Sequence, residues 1–370
     1  MNILYDYQIF TIQKYGGISR YFSELISRFD QTNYKTRTSL YLSNNAYITN
    51  QIQTGVKQFF PNTKFRGKDR ILDFVNKQKS QFDLKYFNFD LFHPTYYNTY
   101  FLKNLNNKPF VATFYDLIHE KFSNQFPELS LRKELFLQKR IILEKAKRII
   151  AISETTKNDI INFYKISGEN IDVVYLANSI NKTFDVSDSL FNKYEYILYV
   201  GNRDGYKNFL SYLESIRELL ISNNLRLVCA GGGNFSSDEL SFINKLNLNK
   251  YIIFEKIEND TKLSTLYQNA LFFVFPSLYE GFGIPILEAF ANNCPALLSN
   301  TGSLPEIGSD SALYFNPSCF NSMFEMTSKM IRDVQLRNTL RLKGLMREKS
   351  FNWDLTFKET IEVYNRALRS

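Results

Sequence analysis

PSLYEGFGIPILEAFANNCPAL, residues 276–297, decides how this chain is read. An apolar run over 271–275 stops at Pro276, a short loop carries Gly281 and Gly283, and Pro285 marks the first turn of a helix. Proline suits that turn because its missing N–H would have no intrahelical partner there. The free amides of the loop and of the helix start form a surface that attracts a diphosphate or a negative sugar oxygen. Glu280 sits in the loop and Glu288 a turn into the helix, so both carboxylates are able to face one ligand. Carboxylates accept hydrogen bonds from paired hydroxyls, which sugars and ribose offer. On spacing alone, a helix cap and a solvated helix residue fit the two glutamates equally well.

Outward from this unit, strand and helix alternate. A strand over 196–200 ends in Gly201, and one over 225–230 runs into Gly231, Gly232 and Gly233. Further strands are expected at 252–254 and 296–299. The N-terminal half repeats the pattern: a strand over 2–7, a loop with Gly16 and Gly17, then an amphipathic helix over 18–29. Strands at 91–93 and 110–114 follow, the second leading into Tyr115 and Asp116. A helix over 131–146, a strand over 148–152 and a helix over 154–163 capped by Ser153 complete that half. Such alternation predicts an α/β chain with two doubly wound parallel sheets. The expected domains are 1–178 and 195–354, joined by a polar linker at 179–194, with a last helix in 355–370 crossing back to the first. In folds of this kind ligands sit at the carboxyl ends of the strands, here in the cleft between domains.

Hydrophobic residues make up 44% and charged residues 22%, the profile of a soluble globular protein. No stretch approaches the roughly 18 apolar residues of a membrane span, and the N-terminus has no basic-then-apolar leader pattern. Three scattered cysteines, Cys229, Cys294 and Cys319, suit neither a disulfide framework nor a zinc site, which predicts a reduced, cytoplasmic protein. Charge is uneven: residues 1–190 carry 26 Lys and Arg against 18 Asp and Glu, whereas 191–370 carry 19 of each. The excess concentrates at 57–85, where Phe59, Phe60, Phe65 and Phe74 are interleaved, and at 132–148. A solvated helix face explains such segments; so does a patch facing anionic lipid or a polyanionic acceptor. No nucleic-acid module is present, so no nucleic-acid partner is expected.

The 276–297 stretch resembles the E-x7-E signature of family 4 glycosyltransferases, retaining enzymes of the GT-B fold with two Rossmann-like domains. Residues 199–208, YVGNRDGYKN, are similar to that family's phosphate loop, and TGSLPEI (301–307) to the loop after its signature. YGGISRYFSEL, FYDLIHEKF, AISETTKNDI and FNWDLTFKETIEVY extend the resemblance over nearly the whole chain. The resemblance implies that Glu288 binds the nucleotide ribose and that Glu280 holds the donor sugar, beside the amides of Phe282 and Gly283. It implies that Arg203 and Lys207 bind the diphosphate, which Gly16 and Gly17 approach from the other domain. Asp116 and His119 would stand beside the reacting sugar and acceptor; relatives often carry histidine where this chain has Tyr115. His119, in a loop at a strand end, reads as a site residue, while His93 fits a site or a core equally.

The chemistry so implied is transfer of a hexose from a nucleotide-diphosphate sugar, GDP-mannose foremost, to a lipid-linked or lipopolysaccharide-type glycan. No cofactor and no metal are expected, since the chain has no Asp-x-Asp. Glu280 is assigned to positioning and electrostatics rather than covalent attack. An anionic membrane surface is the expected further partner, on the inner face of the cytoplasmic membrane. The alternatives are a UDP-hexose donor, a nucleotide-sugar epimerase of the same fold, or an inactive scaffold of a polysaccharide-assembly complex.

Overall fold

The computed structural model describes residues 1–48, 52, 54–126, 129, 133–180, 194–203 and 205–369. Most of the expected linker, and the expected helix start at 131, lie outside the described residues. The chain divides into two compact units: 1–120, 130–176 and 353–370 form one, and 121–129 with 177–352 form the other.

In the first unit the order is β1 (Asn2–Tyr5), α1 (Gln8–Ile12), α2 (Gly17–Ser27), β2 (Lys35–Thr38), α3 (Lys68–Tyr86), β3 (Leu91–His93) and β4 (Val111–Phe114). Then come α4 (Ile118–Phe122), whose last two residues are counted with the second unit, α5 (Lys133–Lys145), β5 (Arg148–Ala151), α6 (Glu154–Tyr164) and β6 (Ile171–Val173). The strands form parallel sheets of order β2-β1-β3 and β4-β5-β6, and a single bridge from Phe92 to Phe110 links the two. The first strand is shorter than its apolar run suggests, because Asp6 turns the chain. Its buried carboxylate accepts from the backbone N–H and the hydroxyl of Thr95 and from the amide of Gln8. Helix α1 follows directly at Gln8; the sequence reading did not include it. Ser153 does cap α6, accepting from the Thr156 N–H at 3.0 Å.

The second unit runs β7 (Tyr196–Val200), α7 (Phe209–Ser215), α8 (Arg217–Ser222), β8 (Arg226–Ala230), α9 (Ser237–Lys245), β9 (Ile252–Glu255), α10 (Asp260–Asn269) and β10 (Phe272–Phe275). It continues with α11 (Ile284–Ala291), β11 (Ala296–Ser299), α12 (Leu304–Gly308), β12 (Ala312–Phe315), α13 (Phe320–Arg332) and α14 (Val334–Glu348). Its six-stranded parallel sheet has the order β12-β11-β10-β7-β8-β9, which reverses direction between β7 and β10. Such a switch point is where doubly wound sheets bind ligands, at the carboxyl ends of the strands. Helices cover both faces of the sheet, so the central strands read as unbroken apolar runs such as FFVF in β10. Tyr199, Phe209, Tyr212, Leu227, Val274 and Leu297 are buried together in its core.

Helix α15 (Trp353–Arg369) belongs to the first unit. A buried polar chain ties it there. The Tyr364 hydroxyl bonds the Tyr5 hydroxyl at 2.9 Å and His93 Nδ1 at 2.6 Å, and His93 Nε2 bonds the Thr113 hydroxyl at 3.0 Å. Burial drives the His93 pKa down to about 3, so the ring is neutral, and its full burial and its two side-chain bonds place it in the core. The two-sided reading of His93 is thereby settled in favour of the core.

Candidate active site

The loops after β7 and β10 meet at the switch point. The Leu278 N–H donates to the Tyr206 carbonyl at 2.8 Å, fixing one loop on the other. That contact brings Lys207 to Glu280, with Nζ 2.6 Å from Oε1 and both side chains mostly enclosed. Burial alone would lower the lysine pKa; the Glu280 carboxylate, together with Tyr206, outweighs it, and the net shift is upward. Lys207 is therefore a fixed positive charge at neutral pH.

The Glu280 loop is shaped by glycine and serine. Gly283 has φ 101°, a left-handed conformation that opens α11 and that side chains other than glycine rarely adopt. Gly281 and Phe282 are buried beside it. The Ser303 hydroxyl donates to the carbonyls of Glu280 at 3.0 Å and Phe282 at 2.9 Å. At Gly302, with φ 58°, a Cβ would lie 2.8 Å and 2.9 Å from the backbone O and N of Glu280. The TGS segment is thus the buttress of the Glu280 loop. Gly302→Ala is expected to cost about 1–2 kcal/mol for the backbone conformation alone, and to push Glu280 off Lys207. Chemical denaturation should report the loss, and activity should fall with it. A variant of parental stability and activity would remove the buttress role.

Arg203 lies in a different setting. Its Nε donates to Glu239 Oε1 at 2.6 Å, and its other nitrogens donate to the carbonyls of Gly231, Gly233 and Asn234 at 2.9–3.1 Å. Only 3% of the side chain is exposed. Gly231, Gly232 and Gly233 have φ of 81°, 69° and 75°, three consecutive left-handed residues folded around the guanidinium. Sequence reasoning missed Glu239, although its signal is present: Ser236 and Glu239 form a capping box at the start of α9. A pocket of about 650 Å³ opens here, lined in part by Asn202, Arg203, Gly205 and Gly232. Glu288, buried in α11, accepts from the hydroxyl of fully buried Tyr267 at 3.0 Å. The structure therefore joins Lys207 to Glu280 directly, and gives Arg203 and Glu288 their own partners.

In the first unit, Gly16 and Gly17 form the turn into α2, where the Ser19 N–H donates to Gln13 Oε1 at 3.2 Å. Asp116 and His119 lie half-buried on the turn after β4 and on α4. Asp116 accepts from the Ile118 N–H at 3.1 Å. Tyr115 is buried, its hydroxyl donated to the Thr95 carbonyl at 3.2 Å. Among the described residues, no three of His, Cys, Asp or Glu gather as a metal site.

The sequence profile of the glycosyl transferases group 1 family matches residues 181–332, and that of glycosyltransferase family 4 matches residues 15–177. The chain is a family 4 glycosyltransferase of the GT-B fold. This glycosyltransferase is 28% identical to the Escherichia coli O-antigen chain mannosyltransferase B over 272 residues, 69% of either chain. It is 30% identical to the Salmonella typhimurium O-antigen chain mannosyltransferase RfbU over 201 residues, 54% of this chain and 56% of that protein. In fold it is similar to a sucrose-phosphate synthase from Thermosynechococcus elongatus, with TM-score 0.79 and 19% identity over 99% of this chain and 98% of that one. Anabaena HepE in complex with UDP and glucose gives TM-score 0.74 at 15% identity, over 98% and 99%.

Proposed function

We propose that this glycosyltransferase moves a hexose, with retention and without a metal, from GDP-mannose to a lipid-linked or lipopolysaccharide-type glycan. The observation that carries the reading is the Lys207–Glu280 pair at the sheet's switch point. The leaving group of such a transfer is a nucleoside diphosphate, so charge grows on phosphate as the sugar departs. Lys207 supplies a fixed positive charge for it, while Glu280 accepts from sugar hydroxyls. Arg203 would meet the diphosphate by exchanging one anion, Glu239, for another, and Gly281, Phe282 and Gly283 would offer amides to the same ligand. Glu288, steadied by Tyr267, is assigned the ribose hydroxyls. Gly16 and Gly17 are assigned to the diphosphate as well, and Asp116 and His119 to the reacting sugar and acceptor. The mannosyltransferase relatives support mannose as the sugar.

Thermal denaturation with a panel of GDP- and UDP-sugars in EDTA tests this. A donor at 100 times its Kd stabilises the fold by about 2.7 kcal/mol, and GDP-mannose is expected to give the largest shift. A shift that appears only after a divalent ion is added, or for no nucleotide sugar at all, would overturn the reading.

The acceptor side is assigned to a membrane surface. Ile71, Phe74, Phe82 and Tyr86 recur at helical spacing along α3 and are all exposed, Phe74 by 62%. Phe60 and Phe65 stand exposed just before it in one aromatic cluster with Phe59. Lys64, Arg66, Arg70 and Lys85 are exposed in the same segment. Lys68 instead holds the loop, donating to the carbonyls of Phe60 and Thr63. The second basic segment, 132–148, differs: Lys139 is buried, Arg140 pairs with Glu144, and Arg148 pairs with Asp172. Among the described residues no helix is long and apolar enough to cross a membrane. A few basic residues near an anionic surface contribute about 1 kcal/mol each. Flotation with anionic vesicles is expected to carry the protein at low salt. Changing Lys64, Arg66, Arg70 and Lys85 to Ser should release it, and equal binding to neutral vesicles would contradict the assignment.

A further inference from the structure

Lys139 and Glu120 form a closed ion pair inside the first unit. The ammonium lies 2.9 Å and 3.1 Å from the two carboxylate oxygens, and the side chains are only 2% and 0% exposed. Two more groups complete the cluster. The Tyr164 hydroxyl donates to Glu120 Oε1 at 3.0 Å, and the Tyr97 ring centre is 4.9 Å from the ammonium. The same ammonium donates to the backbone carbonyl of Asp116 at 3.2 Å.

A buried ion pair is weak evidence for stability, since withdrawing two charges from water costs about as much as their attraction returns. An apolar pair of similar volume would fill this space as well. What the apolar pair would not do is grip one turn at two points. Lys139, on α5, binds the turn's first carbonyl at Asp116 and its last side chain at Glu120. The upstream end is held by further bonds: the Tyr115 N–H donates to the Tyr97 hydroxyl at 3.1 Å, and the Thr156 hydroxyl donates to the Tyr115 carbonyl at 3.4 Å. Between the two grips stand the Asp116 carboxylate and the His119 ring. We propose that Lys139, with Glu120, is a positioning residue that holds the Asp116–Glu120 turn so that Asp116 and His119 meet the sugar and acceptor in one orientation. The inference rests on the assignment of Asp116 and His119 to the reaction.

The test uses the full-length K139M/E120M protein, because K139M alone leaves a buried, unpaired carboxylate. Turnover is read as nucleoside diphosphate released from whichever donor of a GDP- and UDP-sugar panel the wild type uses fastest. The expected result is a fall in kcat of about tenfold or more. Donor KM and nucleoside diphosphate Kd should stay within about twofold, and amide exchange should speed up over residues 116–122. A folded double variant with kcat within about twofold of wild type would overturn the proposal. Should the double variant not fold, Y164F decides: it removes one hydrogen bond to Glu120 and is expected to lower kcat about threefold at constant donor KM, and unchanged kcat would overturn the proposal. D116N and H119A separate the two levels. Wild-type turnover in both would defeat the assignment of the turn to the reaction; loss in both, with wild-type turnover in K139M/E120M, would defeat the role of Lys139 alone.

Discussion

Glu280→Ala is expected to lower kcat by about 10²–10³-fold, the range seen when one preorganised electrostatic partner of a developing charge is removed. Two effects combine in that variant. On the proposed assignment the donor sugar loses an acceptor for its hydroxyls, and Lys207 is left as a nearly enclosed ammonium without its Glu280 partner. The second effect acts on Lys207 itself, because the Glu280 charge is the largest influence holding its pKa up against burial, with Tyr206 next. Lys207→Met should reach a similar loss by the other route, with kcat falling by more than donor affinity, since its charge matters most as the diphosphate departs. Steady-state kinetics of the single and double variants decide this. Coupled residues give a double variant little worse than either single one, whereas fully multiplicative losses would show that the pair does not act as a unit. Loss confined to KM would mean that the pair only binds the ground state.

Glu288→Ala is the second large effect, and it falls on binding. A charge-assisted hydrogen bond contributes about 1.5–3 kcal/mol, so the Kd for the bare nucleoside diphosphate should rise by roughly ten- to 150-fold. Tyr267→Phe should weaken the same affinity by a smaller factor, because it frees the carboxylate without removing it. Calorimetric titration measures both. An unchanged Kd in the alanine variant would take Glu288 out of the nucleotide site.

The placement of Lys207 and Glu280 in loops at strand ends was legible because its parts are local; that the two side chains pair was not. Each residue follows a buried apolar strand that ends in glycine or proline, and strands at a sheet's switch point deliver their loops to one place. The core of the second unit was legible for the same reason, since FFVF and YILYV are buried on both faces. Other features were hidden. The β2 strand, KTRT, has neither an apolar run nor a clean alternation, and it is defined by pairing with β1. Glu239 announced its capping box locally, but nothing in the sequence says that its carboxylate also takes Arg203. Lys139 was read as one more cation in a basic run. Its helical neighbours, Phe136, Ile142 and Leu143, lie on the packed side of α5, and a lysine at that phase signals a buried pair. The partner, Glu120, is nineteen positions away, and only the fold connects them.

The most direct test of metal-independent, retaining transfer is proton NMR of the product formed from GDP-mannose in excess EDTA. The glycosidic bond formed is expected to keep the anomeric configuration of the donor, with one GDP released per sugar transferred. Inverted configuration, or no product until a divalent ion is restored, would contradict the mechanism built on Lys207 and Glu280.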